Sequence, residues 1–407
     1  MDSTRKNILI ALPTSPYPQR GNGVGMRYVP ILSYFAKKNT VDVLLFGESN
    51  DTQQTCLENN CNQVYYVREY TGTDATFFEK VLLRGRTILP WTPPLTYSHF
   101  RSKKVSTSVA NIIAHKKYDS IIWVAANKVE YLLQVKNLLP PTRLIIDLID
   151  SIFLHASRKS IGENSFPLLE RYEVWKIRKW ETKVINSSDA SIYISDIDAA
   201  AIPEKLTPNK QRFIIPNGVY SEDYTSETIP EIKSPSIGFL GNMSYGPNID
   251  AVLWFYKNVF LELKETIPNI SLYVVGRNPV DSIIKLTNDN NVHVTGTVDS
   301  IWPYINSIDL FAIPLQKGAG LKNKILDIMR AGKPVITSDI GNEGINAINN
   351  EEILICNTPK EYINSIITLI DDNNKCQSIG KNAQRFLVKN FSWSNILKNM
   401  EKIIFNH

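Results

Sequence analysis

This chain of 407 residues lacks several features that define other classes of protein. It has four cysteines, and the nearest pair, Cys56 and Cys61, has no histidine beside it, so no zinc-binding pattern is present. No apolar run reaches the roughly 18 residues that a membrane-spanning helix needs. The first apolar run, Asn7–Pro13, is too short for a secretory signal peptide and is better explained as a β-strand. Few, scattered cysteines and no membrane segment predict a cytoplasmic location.

Excess charge is also scarce. The net charge is only +5, and the basic residues are not clustered as in proteins that bind nucleic acid, so no nucleic-acid partner is predicted. A solvated surface explains this excess, and so does a basic patch for anionic lipid or a phosphorylated ligand. The segment Gly21–Gly25 lacks the G-x-G-x-x-G spacing of dinucleotide-binding folds, which disfavours a dehydrogenase. No Asp-x-Asp string lies in a plausible loop, so we predict neither a metal nor a cofactor.

What the sequence does contain is an alternation of short apolar runs with longer segments of helical period, which is typical of parallel βαβ units. The pattern stops in a turn-rich segment, 216–235, and then restarts without an internal repeat. We therefore predict an α/β protein with two doubly wound, Rossmann-like domains, 1–215 and 216–390, that face each other across a cleft. The predicted strands are Asn7–Pro13, Val41–Phe46, Gln63–Val67, Ser120–Ala125, Arg143–Asp150, Ala190–Ser195, Arg212–Pro216, Ser236–Gly241, Ser271–Gly276, Val292–Gly296, Asp309–Leu315, Pro334–Ser338 and Glu352–Cys356.

The segment with the most chemical content reads AIPLQKGAGLKNKILDIMRAGKPVITSD. A strand is predicted to end at Leu315, and a helix is predicted from Lys322 to Gly332. Glycines let a backbone approach a ligand closely, and the start of a helix attracts an anion such as phosphate. The loop that would combine these two properties consists of Gly318, Ala319, Gly320 and Leu321.

Two polar residues of the predicted helix, Lys324 and Asp327, are three positions apart and therefore share one face. They are separated by about 4.5 Å along the helix axis, roughly the distance from a phosphate to a ribose. A nucleoside diphosphate could lie along this face, with its ribose hydroxyls donating to Asp327. A solvated Lys–Asp pair above a buried apolar stripe explains the same spacing, and the residues alone leave both interpretations open.

This segment resembles the donor-site signature of glycosyltransferase family 4, in the branch with a PLxxGxGxxNKxLE-like string. Other pieces agree in order and spacing: PNGV, GFLGNMSYGPNIDAVLWF, YVVGRNP, VHVTGTVDSIWPYI and FSW, while DLID resembles a first-domain motif. The resemblance is close over the second half of the chain and loose over the first. It implies the GT-B fold, retaining sugar transfer without a metal, and a last helix, 391–407, that completes the first domain.

The resemblance also implies roles for individual residues. Asp327 stands where the family holds the donor ribose, and Lys324 stands beside the pyrophosphate. Backbone groups of Gly296, Thr297 and Val298 stand where the family contacts the base.

The chain departs from the family in two places. Ala319 occupies the position of a glutamate that contacts the donor sugar, and the usual Arg and Lys of the loop after Gly241 are missing around Asn242 and Pro247. The charge of the phosphates must then be met by other cations. The candidates are Lys322, Lys324, Arg277 and Arg27.

The first half offers weaker candidates. Gly23 and Gly25 follow the first strand, where backbone N–H groups could meet a sugar phosphate or form a plain loop. Asp150 and His155 follow the fifth strand and could contact the acceptor or the transferred sugar, although a lone histidine is more often structural. The basic and aromatic segment Leu82–Val105 could hold a lipid-linked acceptor at a membrane surface, or be an ordinary part of the domain.

The sequence therefore predicts a hexosyltransferase-like enzyme that moves a sugar from a nucleoside diphosphate sugar to a hydroxyl of a glycan or lipid-linked acceptor. Surface polysaccharide assembly at the inner face of the cytoplasmic membrane is the implied setting, with Asp150, His155 and Lys324 as catalytic candidates. The missing sugar-contacting glutamate keeps two alternatives open: a non-catalytic nucleotide-sugar or glycan-binding protein, and a sugar-nucleotide epimerase of GT-B build.

Overall fold

The computed structural model describes residues 5–19, 23–47, 49–67, 89, 92–94, 103–124, 128–135, 141–159, 167–219, 231–318 and 320–405. The chain divides into two compact units. The first unit comprises Met1–Asn217 and Ile396–His407, and the second unit comprises Gly218–Asn395. The sequence pattern places the boundary two residues earlier and the return to the first unit at 391.

The first unit contains a sheet of seven parallel strands in the order β3-β2-β1-β4-β5-β6-β7. Most of its central strands are buried on both faces, which explains why they read as continuous apolar runs rather than as alternating ones. The strands are β1 (Asn7–Leu12), β2 (Thr40–Phe46), β3 (Gln63–Val67), β4 (Ser120–Val124), β5 (Arg143–Ile149), β6 (Ala190–Tyr193) and β7 (Gln211–Ile214).

Helices cover this sheet, and their apolar faces join the strands in one core that includes Trp123, Ile177 and Trp180. The last helix of the chain, α16 (Trp393–Phe405), packs here too, because Ser120 on β4 donates to the Ile404 carbonyl at 2.9 Å. The other helices of this unit are α1 (Gly23–Lys38), α2 (Asp51–Glu58), α3 (Lys103–His115), α4 (Val129–Val135), α5 (Ile152–Lys159), α6 (Pro167–Asn186) and α7 (Asp196–Ala200), with a 3₁₀ turn at Glu204–Leu206.

The second unit contains a sheet of six parallel strands in the order β10-β9-β8-β11-β12-β13. Its strands are β8 (Ser236–Leu240), β9 (Ser271–Val275), β10 (Val292–Val294), β11 (Leu310–Ile313), β12 (Val335–Thr337) and β13 (Leu354–Ile355). Its helices are α8 (Gly246–Phe255), which continues as a π-helix (Tyr256–Phe260), α9 (Leu261–Thr266), α10 (Asp281–Ile284), a 3₁₀ helix (Lys285–Asn288), α11 (Trp302–Ser307), α12 (Asn323–Arg330), α13 (Asp339–Asn342), α14 (Pro359–Asp371) and α15 (Asn373–Phe391).

Each sheet has one place where the direction of strand order reverses. In the first unit β1 lies between β2 and β4, and in the second unit β8 lies between β9 and β11. Open parallel sheets bind ligands outside the carboxyl ends of the strands at such points. The loops after β1 and β4, and after β8 and β11, are therefore the places to look for a site.

Candidate functional site

The loops that follow β8 and β9 are held tightly together at the carboxyl edge of the second sheet. Gly241 donates its N–H to the Val275 carbonyl at 3.1 Å, and Met243 donates to the Arg277 carbonyl at 2.9 Å. A Cβ on Gly276, whose φ is +148°, would lie 1.8 Å from the Gly241 carbonyl oxygen. Only glycine fits there, so this close approach fixes the position of the loop after β8.

Lys324, in the first turn of α12, directs its ammonium group to this loop. Its Nζ donates to the Asn248 Oδ1 at 2.5 Å and lies 4.7 Å from the centroid of the Phe239 ring. A Cβ on Gly241 would be 3.1 Å from the same Nζ. Burial of the ammonium group, helped by repulsion from Lys322, lowers the pKa of Lys324 to about 7. Among the described residues it has no carboxylate partner within ion-pair distance.

Asn248 connects Lys324 to the loop after β8, and sequence reasoning missed it. Its Nδ2 donates to the Asn242 carbonyl at 2.9 Å while its Oδ1 accepts from Lys324. The side chain is buried, with 5% of its surface exposed. It lies in the first turn of α8, directly after the glycine-containing loop of a switch-point strand, and that position is the signal that could have identified it.

The loop before α12 has the backbone that its glycines predict. Gly318 and Gly320 adopt φ of +130° and +74°, and Lys322 folds back so that its Nζ donates to the Gly320 carbonyl at 2.6 Å. Lys322 and Leu321 are buried, and Lys322 occupies the N-cap position of α12. Ala319 lies outside the described residues. Asp327, one turn after Lys324, is half-buried on the same helix, above the buried stripe of Ile325, Ile328 and Met329.

The remaining second-unit candidates lie at the ends of β9 and β10. The Thr295 hydroxyl accepts from the Gly276 N–H at 3.3 Å and donates to the Gly296 carbonyl at 2.9 Å, which ties the two strand ends together. Gly296 has φ +67°, Thr297 is exposed and Val298 is half-exposed. The Arg277 side chain is also exposed, while its carbonyl anchors the loop after β8.

Arg27, proposed from the sequence as a phosphate ligand, lies in a different environment. It is fully buried, and its Nε contacts the Asp147 Oδ2 at 2.7 Å in an ion pair. Its Nη1 donates to the Ile215 carbonyl at 2.8 Å and the Asn217 Oδ1 at 3.1 Å, and the Tyr28 hydroxyl donates to Asp147. A guanidinium that is desolvated and already paired does not fit the phosphate-binding role predicted for it.

The glycine loop predicted after β1 also differs. Helix α1 begins at Gly23, so Gly23 and Gly25 belong to its first turn, while Gly21 and Asn22 lie outside the described residues. A Cβ on Gly25 would lie 2.3 Å from the Pro16 carbonyl oxygen, which shows that the helix packs directly on the preceding loop. The reason for glycine at position 25 is therefore this packing.

Asp150 and His155 lie where β5 leads into α5. His155 is exposed and Asp150 is half-buried. Two buried acids that the sequence did not indicate hold the start of this helix: Asp198 accepts from the Ser151 N–H, and Glu181 accepts from the Phe153 N–H, both at 2.9 Å. Burial raises the pKa of Glu181 to about 7. The segment that carries Asp150 and His155 is thus anchored by buried carboxylates.

Two searches of the described residues gave negative findings. No group of three or more His, Cys, Asp or Glu side chains is arranged to hold a metal ion in that part of the chain. None of the described helices combines the length and the apolar character needed to cross a bilayer.

Comparisons with known proteins agree with this geometry. Residues 234–372 match the family model described as “Glycosyl transferases group 1”. A segment of 177 residues is 29% identical to an uncharacterized glycosyltransferase of Methanocaldococcus jannaschii, and it spans 40% of this chain and 43% of that protein. The chain is also 20% identical to an uncharacterized 44.6 kDa protein in the cps region of Klebsiella pneumoniae, over 97% of this chain and 99% of the other.

Among solved structures, the fold is similar to that of HepE from Anabaena, whose crystal structure is in complex with UDP and glucose. The two structures superpose with a TM-score of 0.66 at 15% sequence identity, over 99% of this chain and 100% of the other. The two parallel sheets, their switch points and the family match lead to one conclusion. The chain carries a glycosyl transferases group 1 domain in its second unit and has the GT-B fold.

Proposed function

We propose that this chain is a glycosyltransferase that moves a sugar from a nucleoside diphosphate sugar to a hydroxyl group of a glycan or lipid-linked acceptor. The observation that carries the proposal is the environment of Lys324. This half-buried side chain, whose desolvated ammonium group has no carboxylate partner among the described residues, lies between two loops at the switch point of the second sheet. A desolvated, uncompensated cation is costly for a structural role, whereas it suits a ligand that brings its own negative charge.

The diphosphate of the donor supplies that charge. Its oxygens would accept from Lys324 and lie near the N-terminal end of α12, where the helix dipole favours an anion. Asp327, one turn along, would accept from the ribose hydroxyls. The loop after β8, with Gly241 and Asn242, and the strand end at Gly296, Thr297 and Val298 would complete the nucleotide contacts.

In the reaction, the bond between the anomeric carbon and the diphosphate oxygen breaks, and a bond from that carbon to the acceptor oxygen forms. The electron pair of the broken bond goes to the leaving diphosphate, whose oxygen then takes up the proton that the acceptor hydroxyl releases. Preorganised cations and dipoles at that point lower the barrier most, because they act where charge develops. We assign this role to Lys324, whose neutral amine form takes up a proton when an anion lies beside it. Retention of configuration and independence from metal ions are part of the proposal, on the family resemblance alone.

We propose uridine as the base, since HepE was crystallised in complex with UDP and glucose. Asp150 and His155 of the first unit are our candidates for contact with the acceptor hydroxyl. Assembly of a surface polysaccharide, in the cytoplasm or at the inner face of its membrane, is the setting that we propose.

Calorimetric titration with UDP-glucose tests the donor site. The variants Lys324→Met and Asp327→Ala should each weaken the affinity, by about 10- to 100-fold for Lys324→Met, because a hydrogen bond to a charged group is lost. Lys324→Met should also leave the melting temperature unchanged or higher, because it removes a desolvated cation.

Lys317→Met is the matched control, because it removes a lysine from the same loop region. Unlike Lys324, Lys317 is 62% exposed and has a carboxylate partner, Asp250, at 3.9 Å. It should bind UDP-glucose nearly as well as the unmodified chain. Equal affinity in the unmodified chain, Lys324→Met and Asp327→Ala would remove the donor-site assignment. Binding without transfer to any hydroxyl acceptor would instead favour the non-catalytic alternative.

A further inference from the structure

Helix α6 of the first unit carries large apolar side chains that are exposed in the described part of the chain. One side of the helix packs into the core through Ile177, Trp180, Val184 and Ile185. On the exposed side, Leu168 is 81% exposed, Leu169 is 64% exposed and Trp175 is 44% exposed. Large apolar side chains at such exposure, grouped on one helix, mark a contact surface more often than chance exposure does.

Charge on the same face has a single sign. Between Leu168 and Asn186, the exposed charged residues of α6 are Arg171, Lys179 and Lys183. These residues follow one another at intervals of four or eight positions and share one side of the helix with Trp175. The acids of the helix, Glu170, Glu173 and Glu181, are half-buried or buried. We call the set Leu168, Leu169, Arg171, Trp175, Lys179 and Lys183 the α6 face.

Aromatic and basic side chains also touch one another on this face. The Lys179 ammonium lies 5.0 Å from the centroid of the Trp175 ring, and Trp175 stacks on Tyr172 with centroids 5.6 Å apart. An aromatic ring that is flanked by a cation and preceded along the chain by leucines is suited to the boundary between lipid headgroups and acyl chains, where one end of the ring contacts water and the other contacts apolar chains.

We propose that the α6 face lies on an anionic phospholipid surface, with Leu168, Leu169 and Trp175 inserted and the three cations against the headgroups. A second copy of this chain is a poorer occupant. A symmetric dimer through the α6 face would bring its three cations against a surface with the same cations and no exposed acid. An anionic bilayer supplies both the negative charge and the apolar layer that the α6 face needs.

Sedimentation of the full chain with vesicles tests the proposal. Vesicles of phosphatidylglycerol and phosphatidylcholine should bind the chain, and pure phosphatidylcholine vesicles should bind it at least about tenfold more weakly, since each basic side chain near an anionic surface strengthens binding about fivefold. The variants L168Q/L169Q and R171Q/K179Q/K183Q should each lose about tenfold or more of the affinity for the anionic vesicles.

The triple variant K381Q/R385Q/K389Q on α15 is the matched control. It removes the same number of exposed positive charges from a helix whose exposed large hydrophobic residue is Val388, and it should bind the vesicles nearly as the unmodified chain does. UDP-glucose titration of every variant separates this proposal from the proposed function, because the α6 face is apart from Lys324 in sequence and unit.

Any of three vesicle results would overturn the proposal. These are no binding of the chain to anionic vesicles, unchanged binding by the α6 variants, and a loss of affinity in the α15 variant as large as that in the α6 variants. Concentration-dependent self-association that the L168Q/L169Q variant abolishes, without vesicle binding, would show that a second copy covers the face and would overturn it too.

Discussion

Two desolvated cations follow strands beside the switch points of the two sheets, and their partners differ. Arg27 lies on α1 after β1, and Lys324 lies on α12 after β11, so that each follows a strand at the switch point of its sheet. Arg27 contacts the carboxylate of Asp147 at 2.7 Å, whereas Lys324 donates to the neutral amide of Asn248. The pKa values reflect this difference. Burial opposes the charge of both groups, but Asp147 leaves the pKa of Arg27 raised, while the pKa of Lys324 falls to about 7.

This difference separates a structural cation from a binding one. Arg27 and Asp147 both belong to the first unit, and their ion pair links α1 to β5. Arg27 also donates to the chain after β7. Among the residues that the structure describes, the Lys324 ammonium group loses water without gaining a negative charge, and a diphosphate would supply that charge. A desolvated cation beside a switch point thus serves stability in one unit and, as we propose, donor binding in the other.

The largest effect is expected from breaking the Arg27 pair. Asp147→Asn leaves a fully buried guanidinium without its counter-charge, and such a loss costs about 3–5 kcal/mol of unfolding free energy. Urea unfolding of the full chain should show this cost, while UDP-glucose affinity under native conditions changes little. Preserved stability combined with lost UDP-glucose binding would instead return Arg27 to the donor site.

Lys6→Gln provides the control for this measurement. The Lys6–Asp119 pair is longer, at 3.7 Å, and both side chains are more than two-fifths exposed. Exposed pairs contribute at most about 1 kcal/mol, so the variant should unfold nearly as the unmodified chain does.

The next effect is on the pH dependence of donor binding. Because the pKa of Lys324 is about 7 and a diphosphate beside it would raise that pKa, binding above pH 7 must take up a proton. Affinity for UDP-glucose should therefore fall as pH rises, by about tenfold from pH 6 to pH 8. The titration uses UDP-glucose and not UDP, because the terminal phosphate of UDP itself titrates near pH 6 and would add its own pH dependence.

Calorimetry in buffers of different ionisation heat checks this proton uptake directly. Lys324→Met should show a flat profile and no uptake. A profile that stays steep in Lys324→Met would assign the titration to another group, and Glu181, whose pKa is also near 7, would be the first to examine by Glu181→Gln.

Much of the fold could be predicted from the sequence, because burial on both faces of a parallel sheet gives continuous apolar runs. The pattern located thirteen strands, but it placed several ends too late. The run Asp309–Leu315, for example, contains a strand only from Leu310 to Ile313, although Leu315 is buried. Apolar periodicity reports burial, whereas a strand also needs hydrogen bonds to a neighbour, and Pro314 has no N–H to donate.

The candidate site was predicted only as far as local spacing allows. The shared helix face of Lys324 and Asp327 follows from three residues of separation. The Asn248 contact with Lys324 and the Asp147 contact with Arg27 join residues 76 and 120 positions apart, and no local pattern encodes such pairs. The sequence therefore offers Arg27 as one of the cations that could replace the missing Arg and Lys, and it does not indicate Asn248.

The smallest effect sharpens the role of Asn248. If Asn248 positions Lys324 against the loop after β8, Asn248→Ala removes two hydrogen bonds and should weaken UDP-glucose affinity about fivefold, without touching the charge itself. Asn258→Ala is the control, since the Asn258 Nδ2 donates to the Trp254 carbonyl at 2.8 Å within the same helical stretch. Asn248→Asp would place a carboxylate beside Lys324, as Asp147 lies beside Arg27, and should move the fall in affinity to higher pH. An unshifted pH profile in Asn248→Asp, or equal losses in the two alanine variants, would show that Asn248 supports the helix and does not position Lys324.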